Sequence, residues 1–325
     1  MILAALVLAA FVLGTGLVSA PARADTALTV GKAAPTSDNL IAVDVGNDLG
    51  FFKKHGLYLK ILNFRGTAPL VQAMTAGSLD IALADGTMMA FIVKGAPMTA
   101  VCQSTTGLPM TSIGVPYDSP VKSLADLKGK KIGITGAGLT DWVVLELERS
   151  QGWQPGSITR VVVGAGPAAS GAAFRTHQID ASVEGTTSFL IEEKEKIARI
   201  LALVSSFTNI DIGGVYASNQ LIKSNPDALR AFLAAWIETD QFIMTHKDET
   251  ADLWAKITGF PKDIMPKEYD LVKGMWNKDC RFNRQSLESL RRSFVELKIL
   301  DSEPDMSKLY TEAYLPDNTA GAPAH

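Results

Sequence analysis

The stretch from Leu57 to Gly86, LYLKILNFRGTAPLVQAMTAGSLDIALADG, decides how the chain folds. Residues 57–64 alternate apolar and polar side chains through Leu57, Leu59 and Ile61, the period of a strand with one covered face. Arg65-Gly66-Thr67 forms a turn, and 68–76 then reads as a helix stopped by Gly77. Residues 80–84, DIALA, are short and apolar and break at Asp85-Gly86, as a strand buried on both faces does. Strand, helix and strand joined by short glycine-containing links make a βαβ unit and predict a parallel sheet.

The same grammar extends in both directions. Upstream, 27–34 reads as a strand and 38–53 as a helix; downstream, 87–94 reads as a helix and 97–104 as a strand. The pattern then restarts. Strand 131–135 leads through a glycine-rich turn into helix 141–150, followed by strand 159–163, helix 167–176 and strand 179–183, with further strands at 200–204 and 214–218. The last third is helical. Asn225-Pro226 supplies a cap and a first-turn proline, and Leu229, Phe232, Leu233, Trp236, Ile237 and Ile243 form a broad apolar face. Helices near 249–258, 266–277 and 285–298 follow, and the stretch from Leu315 onward reads as a frayed tail. A chain that builds one α/β unit, then a second, and returns to the first makes two linkers between two lobes. That arrangement is a hinge above a cleft. The expected division is 25–113 plus 212–325 for lobe one and 114–211 for lobe two.

Residues 1–24 are set apart. Ile2 to Val18 is almost wholly apolar and is followed by Ala22-Arg23-Ala24, the small-x-small triplet of a signal peptide cleaved after Ala24. A retained anchor is the competing reading, disfavoured by a run at the short limit for a bilayer span. Export permits a disulfide between the two cysteines, Cys102 and Cys280, but sequence leaves their pairing open. With a formal charge of −3 and no basic cluster, the chain is not expected to bind nucleic acid.

Chemistry is sparse. The four histidines stand in no metal-ligand spacing, and no P-loop, nucleophile elbow or zinc-protease motif occurs, so neither a metal nor a cofactor is expected. Residues 161–169, VVVGAGPAA, resemble a flavoprotein dinucleotide turn, with Glu184 placed 20 residues after Gly164 as a ribose-binding acid would be. The alternative function is therefore an exported or pyrimidine-related enzyme using this turn at 164–169. The short helix that follows argues against it.

Helix starts offer free N–H groups and partial positive charge. Arg65, Gly66 and Thr67 enter one helix, and Gly138, Leu139 and Thr140, within GITGAGLTD (133–141), enter another. The two ends are candidates to clamp a ligand, with ordinary capping by Thr67 and Thr140 as the plainer role. Asp85 and Glu184 end apolar strands and are candidates to accept from an amine or ring N–H, or simply to cap turns. Trp142 either packs a ligand's apolar body or belongs to the core of its helix.

Gly50 to Leu57 (GFFKKHGL), Leu70 to Asp80 (LVQAMTAGSLD), Val121 to Gly133 (VKSLADLKGKKIG), Ala172 to Ala181 (AAFRTHQIDA) and Leu309 to Leu315 (LYTEAYL) together resemble the nitrate/sulfonate/taurine-type substrate-binding proteins of ABC importers. The likeness extends to the binders of thiamine-pyrimidine precursors. His177 stands where that family usually has glycine. The resemblance implies a type II periplasmic-binding-protein fold, two α/β lobes joined by a two-stranded hinge, and no catalysis. It implies a periplasmic monomer that captures a small polar molecule such as a sulfonate or carboxylate, with an ABC permease and a cytoplasmic ATPase as partners. It places Ser37, Thr67, Asp85, Gly86, Thr87, Gly138, Leu139, Thr140 and Glu184 along the cleft.

Overall fold

The computed structural model describes residues 25–136, 138–164, 166–208 and 213–317. The expected leader, residues 1–24, lies outside them. Among the described residues no helix is long and apolar enough to cross a membrane.

The chain begins with β1 (Thr26–Lys32), α1 (Ala42–Asp48), α2 (Phe51–Lys54), β2 (Leu57–Asn63), α3 (Thr67–Thr75), β3 (Ile81–Asp85), α4 (Met89–Val93) and β4 (Met98–Gln103). It crosses to a second unit of β5 (Thr111–Pro116), β6 (Lys131–Ile134), α5 (Leu139–Ser150), β7 (Thr159–Val162), α6 (Pro167–Arg175), β8 (Ala181–Gly185), α7 (Thr186–Lys194) and β9 (Ala198–Leu203). It returns through β10 (Gly213–Ser218) to a helical run, α8 (Asn219–Ser224), α9 (Pro226–Thr245), α10 (Lys247–Thr258), α11 (Met265–Val272) and α12 (Arg284–Glu296).

Two five-stranded sheets result, ordered β2-β1-β3-β10-β4 and β7-β6-β8-β5-β9. Each holds four strands running in one direction and one antiparallel strand that the crossing chain inserts next to the last of them: β10 lies between β3 and β4, and β5 between β8 and β9. The crossings run from 104 to 110 and onward from 204. Because β5 starts at Thr111, residues 111–113 belong to the second sheet, three residues earlier than the expected lobe boundary.

Burial explains the strands. Ile81, Ala82, Leu83 and Ala84 are all fully buried, since helices cover both faces of the first sheet there. Of the apolar face read on α9, Leu229, Phe232, Leu233, Trp236 and Ile243 are buried, and Ile237 is only half-buried. Asn225 caps that helix, accepting from Ala228 N at 3.2 Å.

Several expectations are corrected. The helix read over 38–53 is broken into a 3-10 turn at Asp38–Leu40, then α1 and α2, because Gly50 takes φ 77 and interrupts it. The helix read over 266–277 ends at Val272. Leu315, where a frayed tail was expected to begin, is 6% exposed, and residues 318–325 of that stretch lie outside the described residues. The segment before Leu315 lies along β4, where Thr311 N donates to Ala100 O at 2.9 Å and Ala100 N to Leu309 O at 3.1 Å. Strand β5 and helix α7 were not anticipated from the sequence. Finally, Cys102 and Cys280 form a disulfide across 178 residues, fastening β4 to the segment that precedes α12.

Candidate functional site

The strand tips of both sheets converge on a cavity of about 200 Å³. From the first lobe come Thr36 to Asn39, which follow β1, and Asp85, which ends β3. From the second come Met110 and Thr111 at the start of β5, Gly185 at the end of β8, Leu139 opening α5, and Thr187 and Ser188 in the first turn of α7. Phe260, just after α10, completes the wall. Crevices beyond the carboxyl ends of parallel strands are where α/β sheets hold ligands.

The polar groups are linked. Ser37 Oγ and Asn39 Oδ1 lie 2.5 Å apart, Asn39 Nδ2 donates to Asp85 Oδ1 at 3.3 Å, and Tyr216 Oη donates to the Asp85 carbonyl at 3.0 Å. On the far side, Thr186 N and Oγ1 donate to the carbonyls of Met110 and Pro109, both at 2.8 Å, fixing the start of α7 to the first crossing segment. Thr187 Oγ1 reaches across to Asp38 Oδ2 at 3.4 Å. Behind Asp38 stands Glu268 of α11, fully buried, its carboxyl facing Asp38 and Thr187.

These acids hold their protons more tightly than free carboxyls do. Burial pushes Asp85 up to about 6, with the Asn39 amide opposing the shift. Burial also raises Asp38, partly offset by hydrogen bonds that involve Glu268, Trp254 and Thr187. Burial, and then the charge of Asp38, raise Glu268 strongly. Among the described residues no lysine, arginine or histidine lines the cavity. Lys32, buried at the end of β1, is taken up by Asp44 and by the Pro35 carbonyl at 2.8 Å.

Of the residues singled out in the sequence, Ser37, Asp85 and Leu139 line this cavity. The others lie elsewhere. Arg65 and Gly66 are exposed at the entry to α3, and Thr67 is its first residue; Gly66 takes φ 100, a conformation that requires glycine. Gly86 lines a smaller, mostly apolar void with Tyr216 and Phe282, and Thr87 sits in the 3-10 turn Gly86–Met88. Gly138 caps α5, and Thr140 Oγ1 accepts from Thr135 N at 3.1 Å. Trp142 is 2% exposed and donates through Nε1 to Glu296 Oε2 at 3.2 Å, a core position with one polar tie. Glu184 is buried within the second lobe, where it accepts from Ser182 Oγ at 3.0 Å and where burial raises its pKa.

The turn at 164–169 joins β7, the outermost strand of its sheet, to the nine-residue α6. The Glu184 carboxyl is buried, accepting from Ser182 Oγ and lying against Ser170 of α6.

Asp38, Asn39, Thr187, Ser188 and Phe260 were missed. Asp38 and Asn39 were absorbed into a supposed long helix, whereas the Ser-Asp-Asn run after Thr36 is itself a turn signal. Thr187 and Ser188 belong to α7, which the sequence reading omitted.

The arrangement is that of a two-lobed α/β fold with a cavity between the lobes. Residues 38–250 match the family described as NMT1/THI5 like, and the chain belongs to that family. A provisionally named binding protein of Brucella abortus (strain 2308) is 27% identical over 285 residues, covering 83% of this chain and 86% of the relative. A protein of Bacillus subtilis (strain 168), provisionally named as aliphatic sulfonates-binding, is 23% identical over 239 residues, covering 73% of this chain and 71% of the relative. Among solved structures, the periplasmic aliphatic sulphonate binding protein SsuA from Escherichia coli superimposes with a TM-score of 0.74 at 18% identity, covering 92% of this chain and 95% of that one. The periplasmic-binding-protein fold is common to both.

Proposed function

We propose that this chain is the exported solute-binding component of an ABC importer. It holds one small polar organic molecule between its lobes and delivers it to a membrane permease driven by a cytoplasmic ATPase. The observation that carries the reading is the convergence of strand tips and helix starts from both sheets on one cavity of about 200 Å³. Relatives named as binding proteins support it. The two crossing segments act as the hinge, and lobes that sample closure are trapped by a ligand touching both. The protein works as a periplasmic monomer, with its leader cleaved after Ala24.

A thermal-shift screen of the purified protein across amines, sulfonates, carboxylates and neutral heterocycles tests this. A ligand at 100-fold excess over Kd adds about 2.7 kcal/mol of stability. If no class of small molecule raises the melting temperature of the folded chain, the reading fails.

A further inference from the structure

We propose that the group seated against the first-lobe wall of the cleft is a nitrogen-centred donor, a protonated amine or amidine, rather than a sulfonate or carboxylate. This rests on the cleft being the ligand site.

The charge of the cavity wall is one-signed. Asp38 and Asp85 line it, and among the described residues no basic side chain does. The buried lysine beneath β1 is held by Asp44 and a carbonyl, so it offers no counter-charge to an incoming anion. Asp85 uses one oxygen to accept from Asn39, and no hydrogen bond to its Oδ2 occurs among the described residues. Glu268 adds an independent observation. It is fully buried directly behind Asp38, facing Asp38 and Thr187, and so adds an acid and no counter-charge to this wall. A wall of acids, in which Asp85 keeps one oxygen without a donor, defines a site that a donor-bearing cation completes and that an anion meets with repulsion and desolvation at once. Phe260 on the same wall offers an aromatic face, which suits a cation. On the opposite side the first turn of α7, whose cap makes no side-chain hydrogen bond and whose Thr186 N is taken by the Met110 carbonyl, leaves room at Thr187 and Ser188 for an acceptor atom of the same ligand.

The test uses two series matched in shape and differing in charge: benzamidinium, benzamide and benzoate, and propylammonium against propanesulfonate. Affinities are measured by calorimetry on the folded chain, and the charge of any compound found in the wider screen is scored the same way. The cationic member is expected to bind at least tenfold more tightly than its neutral and anionic counterparts. Asp85→Asn should weaken the cation at least tenfold and leave the anion unchanged or improved. Should Asp85→Asn fold poorly, Ser188→Lys, at a half-buried position on the second-lobe wall, should abolish cation binding in the same way. Tighter binding of the anionic or neutral members, or cation affinity indifferent to these substitutions, overturns the ligand class and leaves the cleft reading standing. Absence of binding by every compound overturns both.

Discussion

Thr187 Oγ1 donates to Asp38 Oδ2 at 3.4 Å, joining the first turn of α7 in one lobe to the turn after β1 in the other. The carboxyl therefore lies at a helix N-terminus supplied by the opposite lobe, where aligned peptide dipoles favour negative charge. The bond is long and its net worth small, so its consequence lies in lobe geometry more than in stability. Thr187→Val is expected to cost no more than about 1 kcal/mol of unfolding free energy. It should nevertheless enlarge the radius of gyration of the unliganded protein in small-angle scattering. An unchanged radius would mean that this contact does not hold the lobes together.

The buried acids set a pH profile. Asp38, Asp85, Glu268, Glu192 and Asp240 all have raised pKa values, chiefly through burial. Folded, they keep protons that the unfolded chain releases, so stability falls as pH rises from the ordinary carboxylate range through the raised values. Asp126, Asp263, Asp270 and Asp305 are shifted the other way by hydrogen bonds, and their contribution is lost only when pH drops below the ordinary range. Stability should thus peak in mildly acidic solution and decline toward pH 9. Glu268→Gln, which removes a group that must otherwise stay protonated, should flatten the alkaline limb. Urea midpoints at pH 5, 7 and 9 decide it, and stability that increases across that span would refute the sign.

The disulfide between Cys102 and Cys280 closes a loop of 178 residues that contains the whole second lobe and most of the helical return. Next to it, Gln103 N donates to the Cys280 carbonyl at 3.0 Å. Cross-links over long loops restrict the unfolded chain. Replacing both cysteines by serine should cost about 2–5 kcal/mol, read as a lower urea midpoint. Dithiothreitol should produce the same loss in the parent protein and none in the double variant.

What the sequence disclosed follows from where periodicity is strong. The βαβ signal of 57–86 and the apolar face of α9 survive because each buries one regular stripe or a continuous run. Strand β5, TSIGVP, escaped because Gly114 and Pro116 read as punctuation. Helix α7, TTSFLIEEK, escaped because its buried residues Thr187, Phe189, Leu190 and Glu192 do not fall on one narrow face. The candidate site depended on these two elements, so only Ser37, Asp85 and Leu139 of the residues singled out for it line the cavity. Glu184 misled for a related reason: a strand-end acid points to the cleft or away from it according to register, and here it alternates toward Ser182 and away from the ligand space. His177 was legible as a departure, since it holds φ 53 at a position where the resembled family usually has glycine.

A bridge at the far side of the cleft offers another handle on closure. Glu296, at the end of α12, accepts from Trp142 Nε1 at 3.2 Å and from Arg149 Nη2 at 2.6 Å, both on α5 of the second lobe. Its side chain is 28% exposed, so the ion pair alone is worth little. Glu296→Ala should cost about 1 kcal/mol, mostly through the indole left without its acceptor. It should also speed exchange of the Trp142 indole proton, observable by NMR. Exchange as slow as in the parent would show that the indole is shielded by packing alone.

Gly114 couples the overlooked strand to the overlooked helix. Its φ is not in the left-handed region, so glycine is needed there for space: a Cβ would run into the ring of Phe189 on α7. Phe189 is fully buried, with no room to retreat, and α7 carries Thr187 and Ser188 into the cavity wall. Gly114→Ala should therefore destabilise the protein by about 1–3 kcal/mol, the range for overpacking a closed core. It should also weaken ligand binding, because the ring can move only by shifting α7. Adding Phe189→Leu should recover part of both losses, and a double-mutant cycle would show coupling between the two sites. Strictly additive effects would mean that the contact between strand and helix does not set the position of the α7 N-terminus.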